Sequence, residues 1–200
     1  MKKPKAQSSK ARDAIIDASS ILFSENGYTG TTMRDIAEKV GVLPGSLYSH
    51  IKSKEEILLE IVSTGIERFL AIEADIRSMK ASAEDKLRHA VISHVKVVAE
   101  NPERMLIVFH QWRFLTEPNL SKAIELRRRY ARAFSDILKE GIDDGIFSDQ
   151  LDPKVEVFSI LGALNWTPEW YSPDGQYSPE EIGNKMTDTM LYGIKGGKTG

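Results

Sequence analysis

Between Pro44 and Lys54 the chain places Gly45, Ser46, Tyr48, Ser49, His50, Lys52 and Lys54 within one short stretch. Small and hydroxyl-bearing side chains let a backbone approach phosphates and base edges closely, and lysines pair with phosphate oxygens. A helix built only to face water would more often carry long Glu and Lys side chains at these positions. The chemistry on offer is therefore noncovalent recognition of a polyanion. No Gly-rich phosphate loop, Ser-His-Asp constellation or paired-carboxylate motif emerges elsewhere, so an enzyme is not expected. His89 and His94 lie five apart, whereas helical metal pairs prefer three or four, so neither a metal site nor a cofactor is expected.

These residues need elements to hold them. Thr32 begins a Thr-x-x-Asp capping box with Asp35, after which Ile36, Ala37 and Val40 supply an inner face and Gly41 closes a short helix. Pro44 at a first helical position, with Leu47, Tyr48 and Ile51, predicts a second short helix. Two short helices around Gly41 are the arrangement that sets an exposed second helix into a DNA major groove. Ahead of them, Ile15, Ala18, Leu22 and Phe23 form the stripe of a helix over 9–26, stopped at Asn26-Gly27. Behind them, Ser53 and Glu56 open a long helix running through Leu58, Ile61, Phe69, Ile72 and Ile76. Further starts stand at Ser82, Asn101-Pro102, Ser121, Asp152-Pro153 and Ser178-Pro179, and no alternating strand pattern occurs. The expectation is an all-α chain of about nine helices with Gly196–Gly200 as a loose tail.

Bulk properties fit this reading. The 200 residues are 41% hydrophobic, enough for one main core and a small satellite unit. Cysteine is absent, which excludes disulfides and thiolate metal sites and favours a reducing cytoplasmic setting. The basic start lacks a following apolar h-region, and no run of about 18 apolar residues suggests a membrane span. Charge is uneven: residues 1–54 carry nine Lys and Arg against five Asp and Glu, and 55–200 carry 18 against 24. A basic front on an acidic body suits a protein that offers one end to nucleic acid, and argues against an architectural DNA binder, which would be basic throughout.

The order Ile15-Ile16-Asp17-Ala18, Leu22-Phe23, Gly27-Tyr28, Thr31-Thr32, Asp35-Ile36-Ala37, Gly41-Val42, Gly45-Ser46-Leu47-Tyr48, His50 and Ser53-Lys54-Glu55-Glu56 closely resembles the TetR family over about residues 10–65. The resemblance implies a helix-turn-helix DNA-binding domain over 8–53 and a ligand-binding and dimerisation domain over 54–195. It further implies a homodimer on palindromic double-stranded operator DNA, acting as a repressor until a small molecule releases it. Position by position, Thr32 looks like a phosphate-binding cap and Tyr48 like the aromatic that packs on the DNA backbone. His50 and Lys54 fall on phosphate-contacting positions, and Pro44, Gly45, Ser46 and Ser49 where bases are read. Thr32 is also a plain helix cap, Tyr48 also suits a half-buried core aromatic, and His50 and Lys52 also suit plain surface positions. One departure stands out: the polar cap usual after Gly41-Val42 is Leu43 here.

The remainder is less explicit, because core and pocket residues share types. Two aromatic clusters stand out as ligand-binding candidates, Phe109, Trp112, Arg113 and Phe114, then Asn165, Trp166, Trp170 and Tyr171, which together hold all three tryptophans. The segment from Trp170 to Ile182 is similar to the family branch that senses acyl-CoA esters, which would give Arg113 and Arg127-Arg128-Arg129 a role at CoA phosphates. That arginine run reads equally as a solvated face pairing with Glu125. The alternative effector is a hydrophobic or cationic drug, as in efflux repressors. For the dimer, Ser159, Gly162 and Ala163 offer a small-residue face and Ile182, Met186 and Met190 a stripe at helical spacing.

Overall fold

Helix ends in this chain are fixed by side chains that the sequence spells out. The computed structural model describes the backbone of residues 5–193 and side chains from Lys10 onward, so the expected tail at Gly196–Gly200 and the last residues of the 54–195 segment lie outside the described residues. The helices are α1 (Lys5–Gly30), α2 (Met33–Val40), α3 (Pro44–Leu47), α4 (Lys54–Ser78), α5 (Ala83–Glu100), α6 (Pro102–His110), α7 (Asn119–Asp143), α8 (Pro153–Asn165), α9 (Thr167–Trp170) and α10 (Pro179–Tyr192), with a 3-10 turn at Gln111–Phe114. No strand occurs among the described residues. The all-α expectation holds; α9 is a single turn that continues the end of α8, which makes ten segments of the expected nine.

Local chemistry accounts for the boundaries. α1 breaks at Gly27, whose φ of 74° suits glycine, and buried Thr31 ties the broken end by donating its hydroxyl to the carbonyls of Leu22 (3.1 Å) and Gly27 (3.0 Å). Thr32 and Asp35 complete both halves of the capping box on α2. Ser82, Asp152 and Ser178 cap α5, α8 and α10 through their side chains. The seventh helix starts at Asn119, not at Ser121, because Glu55 at the start of α4 accepts hydrogen bonds from Thr116 N (2.9 Å) and Asn119 Nδ2 (3.2 Å) and so caps the incoming turn.

Packing divides the molecule into two compact units. The first comprises the chain up to Ile66 together with Glu103–Ile124, and the second comprises Glu67–Pro102 and Glu125 onward. This partition differs from a cut at residue 53: the first turns of α4, all of α6 and the 3-10 turn pack with α1–α3. In the first unit Ile15, Ile16, Phe23, Ile36, Leu47, Ile51, Leu58 and Ile61 form the core. In the second, Phe69, Ile72, Leu87, Val91, Phe134, Ile137, Ile160 and Leu164 do so. Helices α5 and α10 meet closely there: a Cβ on Gly183 would stand 2.7 Å from Ile92 Cα, so a larger residue forces the pair apart.

Candidate functional site

The stretch singled out for recognition is arranged around buried anchors. Leu47 and Ile51 are fully buried, while Pro44, Gly45, Ser46, Tyr48 and Ser49 are exposed and His50 is half-buried. Tyr48, at 53% exposure, is a surface aromatic and not part of the core. Gly41, left-handed at the end of α2, turns the chain, and the carbonyl of Leu43 then accepts from Ser46 N (2.9 Å) and Leu47 N (3.2 Å). Thr32 is exposed at the N-terminus of α2, its hydroxyl accepting from Asp35 N (3.2 Å). The Asp35 carboxyl in turn accepts from Thr32 N, and the backbone and hydroxyl of Thr32 together hold it below the usual carboxylate range. Seven of the eight residues expected at a DNA surface thus lie at or near the surface of one unit.

Lys54 is the eighth, and in this structure it turns toward the protein's own backbone. Its ammonium donates to the carbonyls of Tyr28 and Thr31, both at 2.6 Å, and lies 4.3 Å from the centre of the Tyr28 ring. The break at Gly27 leaves carbonyls at the end of α1 in want of donors, and Lys54 supplies them. Burial pushes the ammonium below its ordinary value, with Asp35 opposing that shift. Lys54 in this structure is a clamp between α4 and the α1–α2 turn, not a side chain extended toward phosphate.

Two further ties went unseen in the sequence. Arg12 on α1 donates to Glu60 Oε2 (2.8 Å from Nε), to Glu56 Oε1 (2.8 Å) and to the His50 carbonyl (2.8 Å), fixing α1, the end of the recognition segment and α4 to one another. Hydrogen bonds from Glu60 and Glu56 hold its guanidinium above its ordinary value. Tyr28 packs edge-on to Phe23 (5.3 Å between ring centres) and stacks on Phe114 (5.5 Å), while Gln111 Nε2 donates to the Phe23 carbonyl at 2.8 Å. An arginine at a helical surface position and a tyrosine after a glycine carry no periodic signal that would reveal such long-range partners.

The expected effector residues are divided between the two units. Phe109 is buried, Trp112 donates its indole N–H to the Phe109 carbonyl (3.1 Å), and exposed Arg113 lies over the Trp112 ring (5.2 Å), all in the first unit. Trp166 and Trp170 belong to the second unit, where both are about half exposed. A groove of about 700 Å³ within the second unit has none of these five residues in its wall; Leu87, Leu138, Phe147, Leu151 and Ile160 line it instead. In the arginine run, Arg129 pairs with buried Glu73 (2.6 Å), which also binds Arg77, and the next arginine, Arg132, pairs with Glu125 (2.8 Å). Burial opposes the Glu73 charge, yet Arg129 and Arg77 hold its carboxyl below the usual range. Deeper in, His94 stacks on Phe69 (4.5 Å) and its Nδ1 meets the Tyr130 hydroxyl at 3.2 Å. Among the described residues no group of three His, Cys, Asp or Glu could hold a metal ion, and no helix is long and apolar enough to cross a membrane.

The expected dimer-face residues divide between exposed and buried positions. Ser159, Gly162 and Ala163 are exposed on α8, and Ser159 and Ala163 line the groove with Met186 and Met190 of α10. Ile182 is buried against its own protomer, because it falls on the side of α10 that packs on α5. The sequence reading passed over Val155 and Phe158 and placed Trp166 among the effector residues; with Gly162 these three make an exposed stripe along α8, and Phe158 is 67% exposed. Their spacing of three, four and four was visible, but a buried stripe has the same spacing.

Comparison with known proteins decides the family. Residues 15–61 match the family "Bacterial regulatory proteins, tetR family", and residues 80–194 match "Tetracyclin repressor-like, C-terminal domain". The chain belongs to the TetR family. Among its TetR-family relatives, the HTH-type transcriptional repressor KstR2 of Mycolicibacterium smegmatis is 28% identical over 191 residues, spanning 94% of this chain and 93% of that one. The regulator FadR of Bacillus subtilis, solved in complex with stearoyl-CoA, superposes with a TM-score of 0.70 at 27% identity, covering 91% of this chain and 98% of the other. AibR, solved in complex with isovaleryl coenzyme A and operator DNA, superposes with a TM-score of 0.80 at 25% identity, covering 92% and 98%. The TetR-type matches fall on both sides of the gap at 62–79, within α4, the helix that runs through both units.

Proposed function

We propose that this TetR-family chain is a transcriptional repressor that grips palindromic operator DNA as a homodimer and lets go when it binds an acyl-CoA thioester. The observation that carries the DNA half is the exposed face from Pro44 to Ser49 behind buried Leu47 and Ile51: small, hydroxylic and aromatic groups presented without long side chains to screen them. DNA binding is assigned to 8–53, effector binding and dimerisation to 54–195, and the place of action is the chromosome in the cytoplasm. The exposed α8 stripe of Val155, Phe158, Gly162 and Trp166, with Met186 and Met190, is the surface assigned to the second copy.

The relatives that carry stearoyl-CoA and isovaleryl coenzyme A favour a thioester over a free drug. Release requires the thioester to prefer a conformation in which the two reading faces are wrongly spaced, since equal binding to both states shifts nothing. A tenfold loss of operator affinity corresponds to about 1.4 kcal/mol of coupling. Native mass spectrometry of freshly purified protein, followed by titration of short, long and aromatic acyl-CoAs against an operator complex, tests the reading. Release by at least one thioester is the expected result. Release by a hydrophobic cation and by no thioester overturns the effector assignment and leaves the DNA assignment standing.

A further inference from the structure

We propose that Leu43 reads operator sequence, its side chain packing against the C5-methyl group of one thymine in each half-site. The inference rests on the DNA-binding reading above and gives it a base contact.

Among the described residues Leu43 is the most exposed large hydrophobic side chain, at 79%. It occupies the position just before α3, with φ −69° and ψ 144°, and it makes no side-chain capping bond. Two local rules are broken at one place. A Ser, Thr, Asp or Asn there would cap the turn, and a leucine in water forfeits the gain of burial. Nothing within the unit offsets either loss: the backbone carbonyl, not the side chain, serves Ser46 and Leu47. Sequences depart from such rules chiefly where function demands it.

The surroundings say what the partner must be. Leu43 stands beside exposed Val42, Pro44 and Gly45, with open space over the Gly45 Cα, and exposed Ser46 and Tyr48 follow. None of these is a long side chain that could fold over the leucine. A major groove presents hydrogen-bonding edges and, at each thymine, one methyl group. A single leucine at the mouth of a reading turn matches that methyl in size and polarity, as the hydroxyls of Ser46 and Ser49 match the polar edges.

The test uses the full-length protein and a duplex recovered by selection from a randomised library. Each thymine of that duplex is then replaced by deoxyuridine, in both half-sites together, which removes the methyl and nothing else, and affinity is read by fluorescence anisotropy. The expected result is one symmetric thymine pair at which substitution weakens wild-type binding by about fourfold per methyl. The same substitution leaves Leu43→Ala and Leu43→Ser unaffected, and both variants bind the unmodified site more weakly than wild type. Leu43→Ser also restores a capping side chain, so its thermal stability is no lower than wild type and misfolding cannot mimic the result. If a site is recovered but no thymine distinguishes wild type from these variants, the Leu43 contact is overturned while the repressor reading survives. If selection recovers no sequence at all, the DNA-binding reading falls, and this one with it.

Discussion

The turn between α2 and α3 and the outer side of α8 both hold apolar side chains in water, but they are built in opposite ways. Around the turn, the backbone is held by polar ties of fixed direction: the Thr32–Asp35 box, Arg12 on the His50 carbonyl, Lys54 on two carbonyls of the α1–α2 turn. Along α8, Val155, Phe158 and Trp166 project from a regular helix whose other side, Val157, Ile160 and Leu164, is ordinary core. Directional bonds suit a surface that must match base edges to a fraction of an ångström, whereas apolar contact suits one that must only exclude water. The first region should therefore be sensitive to lost hydrogen bonds and the second to inserted charge.

Gly162→Glu tests the second half of that contrast and should have the largest effect. Open space surrounds the Gly162 Cα, so the protomer still folds, yet a carboxylate now sits in the middle of the α8 stripe. Sedimentation should show monomers, and operator affinity should fall by about a hundredfold or more, roughly 2.7 kcal/mol. A dimer of unchanged affinity would mean that the stripe is plain surface and that the contrast has no functional content.

Acid should weaken the second unit through His94. Burial pushes its imidazole from 6.5 down to about 3, so the unfolded chain takes up the proton first. Stability is then complete above about pH 6.5 and is lost as pH falls toward 3, amounting to about 2 kcal/mol by pH 5. Urea unfolding at pH 7 and pH 5 should reveal this loss in wild type and not in His94→Phe. An equal loss in the variant would assign the acid sensitivity to carboxylates instead.

A smaller effect is expected from Lys54→Ala. Removing the clamp should cost about 1–2 kcal/mol, since the lysine is only half-buried and water replaces part of each bond. The salt dependence of operator binding should keep its slope, because no phosphate contact is lost. A slope reduced by about one would return Lys54 to the DNA surface and weaken the case that polar ties here serve the protein's own backbone. Smallest of all, Trp170→Ala, at a half-exposed side chain, should alter the response to thioester by less than about twofold, read as release of operator DNA in a titration.

Much of the first unit could be read directly from residue order. Caps such as Thr32 and Ser53 and the stop at Gly27 are local devices, complete within four residues, so one sequence suffices to find them. The exposed face of 44–49 was legible because small and hydroxylic residues there contrast with buried Leu47. Long-range choices were not legible: Arg12 finds Glu56 and Glu60 more than 40 positions away, and Lys54 turns inward to carbonyls that carry no side-chain label. In the second unit Leu138 and Leu151 line a groove while Ile137 and Leu164 fill core, and nothing in residue type separates them. Trp166 and Trp170, chosen there for their rarity, lie outside the wall of that groove.

The packing of Tyr28 on Phe114, with Gln111 held to the Phe23 carbonyl, bears on how such proteins can be recombined. The part that meets DNA is continuous in function but drawn from two stretches of chain, the first ending at Ile66 and the second entering at Glu103. A fusion that moves only residues 8–53 onto a foreign sensor would expose one face of Tyr28 and leave the Phe23 carbonyl without Gln111. Exchange of operator preference between relatives should therefore succeed when 103–124 travels with the head or when the host supplies a phenylalanine and a glutamine at the matching places. Gene boundaries drawn at the visible motif would cut through a folding unit.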